Sequence, residues 1–233
     1  MSKLLPRFVR DFRYRLFYSA LIKRGFPLIE LGNRSTGCAW TFCSEGLAAD
    51  SIVYSAGVGK DITFEHALVK QFGCRVFLFD PSPTGVETMA LAENKIPQFS
   101  FSPTGLDGKC GVLKFSPPGC AEEGSWSMQR KDTATLEVPC KDISTLLQLN
   151  GHDHIDLLKI DIEGCEYEVI EDLVKRRLPI RQLLVEFHHD NSHLPGIKRR
   201  DTIRAILRMC RGGYHLICQD GSNHTFVRRQ SAR

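Results

Sequence analysis

The stretch from Ser51 to Pro83, SIVYSAGVGKDITFEHALVKQFGCRVFLFDPSP, admits few folds because its hydrophobic period changes twice within 33 residues. Ile52 to Ser55 is a β-branched and aromatic run that stops at Ala56-Gly57-Val58-Gly59, where small residues permit positive φ and close approach of backbone to a ligand. From Asp61 onward Phe64, Ala67, Leu68 and Phe72 recur at helical spacing. Asp61 and Glu65 sit early, where the helix dipole favours acids, and Gly73 supplies a stop. Arg75 to Phe79 is strand-like again, and Asp80 closes it before Pro81. The unit predicted is strand, glycine turn, helix, strand, with an acid 23 positions after Gly57.

Such a unit lays its glycine turn and helix start under a nucleoside-containing ligand, while the carboxylate after the second strand accepts hydrogen bonds from ribose hydroxyls. Gly57, Gly59 and Asp61 are therefore expected beside the ligand, with Asp80 on the ribose. A dinucleotide fingerprint wants a third glycine at Ile62, and a P-loop wants Ser or Thr at Asp61 and glycine at Tyr54. Neither is met. A glycine turn with a ribose carboxylate and no phosphate cradle fits S-adenosylmethionine.

At 233 residues one well-buried α/β domain is expected. Residues 1–46 read as a basic helix with a cover segment containing Trp40, and residues 47–233 as the ligand-binding domain. Nine cysteines without a CxxC pair point to a reducing, cytoplasmic setting. No apolar run has the length of a membrane span, and residues 1–25 lack the apolar core of a secretory signal. Those 25 residues carry +6, leaving about −2 for the rest of the chain. Leu4, Leu5, Phe8, Phe12 and Leu16 are predicted to share one helix face. That helix either packs on the domain with a solvated basic face or meets a membrane surface peripherally, an acidic partner or nucleic acid.

Farther along, Pro83 to Asn94 reads as a helix capped by Ser82, and Ile96 to Phe101 as the third strand. The loop beyond it places Thr104, Gly105 and Leu106 near an adenine. Val112 to Phe115 is a short extra strand, and Pro117 to Ala134, with Trp126 and Met128, a lid or a surface excursion. Ile155 to Gly164 is a buried central strand ending in Asp161 and Glu163. Leu183 to His189 is a fifth strand, and Tyr214 to Arg228 an antiparallel hairpin. Alternating units closed by such a hairpin predict an α/β, doubly wound, Rossmann-like methyltransferase fold with a mostly parallel seven-stranded sheet.

The segments VYSAGVGKDITFE, FLFDPSP, IDLLKIDIEGCEYEVI and LLVEFHH, in this order, resemble the FkbM-type S-adenosylmethionine-dependent methyltransferases over about residues 38–228. The resemblance implies that Gly57, Gly59 and Asp80 contact the methionine and ribose parts of the cofactor, and that Asp161 and Glu163 border the methionine end and the acceptor. It also implies methylation of a hydroxyl on a sugar or other small natural product.

A hydroxyl acceptor has to lose its proton, so a base is needed within hydrogen-bond reach. Asp161, His188 and Glu186 fall at strand ends facing the crevice, with Asp161 the first choice as base and His188 the second. A further reading has Asp161 and Glu186 hold Mg²⁺ to orient the acceptor. His152-Asp153-His154 precedes a strand, on the wrong edge for the crevice, and reads as a solvated turn. A non-catalytic binding module and a nicotinamide-dependent reductase are the competing functions. No nucleic-acid partner is expected, because no basic stripe interleaved with aromatics is visible.

Overall fold

The computed structural model describes residues 7–116, 127–128, 136–190 and 196–229, with side chains from Tyr14 onward and outside 117–135. Helix α1 (Arg7–Leu21) leads into a hairpin of β1 (Leu28–Leu31) and β2 (Trp40–Cys43). The expected unit follows as β3 (Ile52–Ala56), α2 (Thr63–Phe72) and β4 (Arg75–Phe79), then α3 (Pro83–Ala90) and β5 (Phe99–Ser102). A separate sheet is built from β6 (Gly105–Leu106), β7 (Gly111–Ser116), β8 (Ser127–Met128) and β9 (Leu136–Lys141). The chain closes with α4 (Ile143–Asn150), β10 (Ile155–Ile160), α5 (Glu166–Arg176), β11 (Ile180–Glu186), α6 (Arg199–Arg211), β12 (Tyr214–Asp220) and β13 (Asn223–Arg228).

The main sheet has seven strands in the order β12-β13-β11-β10-β3-β4-β5. Five neighbours run parallel, and β13 lies antiparallel between β11 and β12. This is the doubly wound methyltransferase architecture with its C-terminal hairpin. Strand residues alternate between two cores: Tyr54, Leu158 and Leu183 face α4, α5 and α6, while Val53, Leu157 and Leu184 face α2 and the β1–β2 hairpin. Burial on both faces explains why β10 and β11 read as unbroken apolar runs. Reversal of strand order beside β3 leaves the C-terminal ends of β4, β3, β10 and β11 around one crevice.

Several boundaries differ from the sequence reading. The third strand starts at Phe99, because the amide of Phe99 closes a turn on the carbonyl of Ile96 (3.1 Å) across Pro97. The fifth strand runs from Ile180 to Glu186, which places His188 and His189 beyond its end. On α1, Leu16 is 53% exposed, whereas Phe17, Tyr18, Leu21 and Ile22 pack on the core. The inward face is thus rotated from the one expected. His152 is half-buried, with its ring 4.6 Å from Phe77 and its Nδ1 2.9 Å from the Tyr54 hydroxyl, so that turn is only partly solvated. The proposed lid, Trp126 included, falls outside the described residues except for Ser127–Met128, whose backbone pairs with β7. Among the described residues no helix is long and apolar enough to cross a membrane.

Candidate active site

The glycine turn after β3 is fixed from three sides. Gly57 has φ 89°, its amide donates to Phe79 O (3.0 Å), and a Cβ there would stand 1.8 Å from the Asp161 carbonyl oxygen. β3 and β10 therefore approach too closely at this point for any side chain. Gly59, at φ 57°, has open space where a Cβ would project. Asp80, only 7% exposed, holds the turn from below: Oδ2 accepts from the amides of Val58 (2.9 Å) and Gly59 (3.1 Å), and Oδ1 from that of Ser82 (2.8 Å). A carboxylate offers about four acceptor positions, so three amides leave one for a ligand.

Above this turn opens a cleft of about 900 Å³. Gly57, Gly59, Asp61, Asp80, Gly105, Leu106, Asp161, Glu163, Glu186 and His188 all line it. Thr104 does not: it is buried behind the wall, its hydroxyl paired with that of Ser102 (2.9 Å). Asp61 stands at the rim, accepting from the Thr36 hydroxyl (2.5 Å) and the Thr63 amide (2.7 Å). Trp40 serves two purposes, being 1% exposed in the core and part of the cleft lining.

Past β10 the chain turns through Glu163 (φ 51°) and Gly164 (φ 115°), which brings Asp161 and Glu163 toward His188. His188 Nε2 lies 3.5 Å from Glu163 and 3.7 Å from Asp161, while Nδ1 is bonded to Glu166. Burial alone would lower the histidine's proton affinity. The hydrogen bond to Glu166 and the charges of Glu166, Glu163 and Asp161 outweigh it and raise the pKa to about 10. His188 is accordingly an imidazolium at neutral pH. Glu186 accepts from the Ser222 hydroxyl (2.8 Å), and its pKa is pushed up to about 7, first by burial and then by the charge of Asp161. Asp161, Glu186 and His188 present ligand atoms within 4.8 Å of one another. His189 is turned away, bonded to Thr202 (2.9 Å) and Arg199 (3.3 Å).

Over residues 51–216 the sequence matches the Methyltransferase FkbM domain. The chain belongs to that family. Among curated relatives, this FkbM-domain chain is 28% identical over 158 residues to the human probable methyltransferase-like protein 24, covering 67% of this chain and 37% of the relative. It is 24% identical over 132 residues to the hexuronic acid methyltransferase AglP of Haloferax volcanii, covering 56% of this chain and 54% of that protein. The chain thus spans between about a third and about a half of their lengths. Among solved structures, the N-methyltransferase NodS of Bradyrhizobium japonicum aligns at TM-score 0.43 and 11% identity, covering 96% of this chain and 97% of NodS. An rRNA methylase of Streptococcus thermophilus aligns at TM-score 0.44 and 12% identity, covering 80% and 91%.

The burial of three charged side chains of this FkbM chain emerges only from the structure. Lys159 lies within β10, 5% exposed, and donates to Gly57 O (2.9 Å) while facing Glu65 (3.4 Å) and the Trp40 ring (5.6 Å to its centre). Burial opposes its charge, but Glu65 and Asp161 overcome that and raise its pKa. Glu65 is 1% exposed and also takes the Ser55 hydroxyl (2.5 Å), so the acid expected in the first turn of α2 is there and serves in addition as an internal partner. Glu166, fully buried, accepts the Gly164 amide (3.0 Å) besides holding His188. The sequence signal for Lys159 was one charge inside an otherwise apolar strand. Glu166 has no comparable signal, since an acid in the first turn of a helix is ordinary.

Proposed function

We propose that this chain is an S-adenosylmethionine-dependent methyltransferase that methylates a hydroxyl on a sugar or similar small natural product. The observation that carries the reading is the sequence of groups across neighbouring strand ends in one cleft: Asp80 after β4, the glycine turn after β3, Asp161 after β10 and Glu186 at the end of β11. The cofactor fits this cradle. Gly59 leaves open the space that a side chain would fill, and six carboxylates against three cationic side chains in the lining suit a ligand with a sulfonium and an ammonium group. The sugar-directed activity named for AglP supports the acceptor class.

When bound, S-adenosylmethionine supplies a methyl group on a sulfonium, which breaks its carbon–sulfur bond as carbon–oxygen bonding develops. The chain's own residues orient and deprotonate the acceptor. Asp80 keeps an acceptor position for a ribose hydroxyl, and Gly105 with Leu106 form a wall for the adenine. Glu186, with a pKa raised to about 7, takes the hydroxyl proton. His188 already carries a proton, so its part is to hold Asp161 and Glu163 in place. Asp161 is left to orient the acceptor.

Calorimetric titration with S-adenosylmethionine, S-adenosylhomocysteine and NADPH tests the cofactor. The first two should bind the wild type, and Asp80→Asn should weaken them; binding of NADPH alone would replace the reading with a reductase. A second reading rests on the convergence of Asp161, Glu186 and His188 Nε2, three donors of types that a divalent cation accepts once the imidazolium has given up its Nε2 proton to the solvent. Turnover that survives a chelator removes the ion from the reaction, whereas loss reversed by Mg²⁺, with calorimetric Mg²⁺ binding abolished in Asp161→Asn, establishes it.

A further inference from the structure

A second cleft, of about 610 Å³, opens on the other edge of the sheet beside Ile155 and Ile180, the first residues of β10 and β11. About 20 Å of strand separates it from the candidate active site. Its lining includes Arg181, Arg228 and Arg229, together with His154 and His215. None of the three arginines forms an ion pair among the described residues. Each is anchored to main-chain carbonyls instead: Arg181 to Glu45 and Gly46 (both 2.9 Å), Arg228 to Leu178 (2.9 Å) and Arg229 to Cys210 (3.0 Å). A guanidinium carries five N–H donors, so the anchors fix its position and leave donors for a ligand.

The walls are equally preset. Gln182, 4% exposed, exchanges two hydrogen bonds with the backbone of Cys43 (2.8 and 3.0 Å) and staples β2 to β11 at the cleft. Phe26, Pro179 and Val227 supply apolar surface. Two carboxylates also line the cleft. Asp156 is already occupied by the Ile52 amide (2.9 Å) and by His154 (3.4 Å), and Glu45 is exposed. The proton affinity of His215 is lowered by burial and then by Arg229 and Lys23, in keeping with positive surroundings.

We infer that this second cleft binds a small phosphomonoester, its phosphate on guanidinium donors of Arg181, Arg228 and Arg229 and its apolar part against Phe26, Pro179 and Val227. Several fixed guanidinium forks suit a dianion with three terminal oxygens, and anchoring lowers the entropy lost on binding. The site is independent of the methyl-transfer reading, because it shares no lining residue with the first cleft.

Calorimetry with phenyl phosphate, inorganic phosphate and phenol tests the inference on the full chain, beside Arg229→Glu and Arg181→Gln. Phenyl phosphate should bind one to one, inorganic phosphate about tenfold more weakly and phenol without measurable heat. Each variant should lose about tenfold or more in phenyl phosphate affinity at an unchanged melting temperature. Arg229 is exposed and near the end of the described chain, so its variant decides the matter should Arg181→Gln unfold. No heat from phenyl phosphate, equal affinity in wild type and the folded variants, or phenol binding as tightly as its phosphate would each overturn the site. Equal affinity for inorganic and phenyl phosphate would overturn its apolar half.

Discussion

A lysine buried in a central strand is costly unless something specific holds its charge, and at Lys159 that something is Glu65 together with the carbonyl of Gly57. Removing one member of such a pair strands the other in a dry interior. Lys159→Met should therefore destabilise the protein by roughly 3–5 kcal/mol, seen as a fall in melting temperature. The double variant Lys159→Met/Glu65→Leu removes both charges and should recover most of that stability. It should not recover cofactor affinity, because the glycine turn still lacks the ammonium that clamps Gly57 O. Wild-type binding of S-adenosylhomocysteine by the refolded double variant would reduce the pair to packing alone. At this scale the sequence told half the story: Asp80 and Asp161 could be found from their places after strands, but the partner of Glu65 comes from a strand 94 positions away.

Elements were more legible than their ends. The change from period two to helical period located β3, α2 and β4, and the unbroken apolar run located β10, because those patterns follow from which face meets a core. The limits of β5 and β11 are decided by contacts that no local pattern encodes. β11, for instance, stops pairing with β13 after Glu186 lies opposite Asn223, and Phe187 then donates to Ser222 O (3.1 Å). That ending matters for chemistry, since it places Glu186 on the last paired position and lets His188 fold back onto Glu166. With Glu186 as the base, it works only when ionised. The rate at limiting acceptor should fall as pH drops below about 7, and Glu186→Gln should cost about 100-fold or more in kcat while S-adenosylmethionine binding persists. A pH profile that is flat from 6 to 8 in the wild type would move the base role elsewhere.

For the whole molecule, the same buried groups make stability depend on pH in opposing ways. His224, on β13, is held neutral: its Nδ1 donates to Ser222 O (2.8 Å), its Nε2 accepts from Tyr18 of α1 (2.9 Å), and burial lowers its pKa to about 4. A depressed folded pKa favours the fold above the unfolded value of about 6.5, and that contribution, on the order of 3 kcal/mol, is lost as pH falls toward 4. Helix α1 is docked partly through this bond. Glu186 acts the other way, because its folded pKa is raised: the unfolded carboxyl ionises near 4.5, the folded one near 7, so its contribution is full below 4.5 and disappears as pH rises through 7. An ionised Glu186 at pH 8 is thus a cost to the fold, which the proposed role as base would account for. Replacing it with glutamine keeps a partner for the Ser222 hydroxyl and removes the buried charge. Glu186→Gln should melt higher than the wild type at pH 8, with the gap closing by pH 5, where the wild-type carboxyl is protonated. Thermal unfolding at the two pH values is the check. A variant less stable than the wild type at pH 8 would mean that the attraction of His188 outweighs burial and the charge of Asp161, and that Glu186 is a structural anion and not a base.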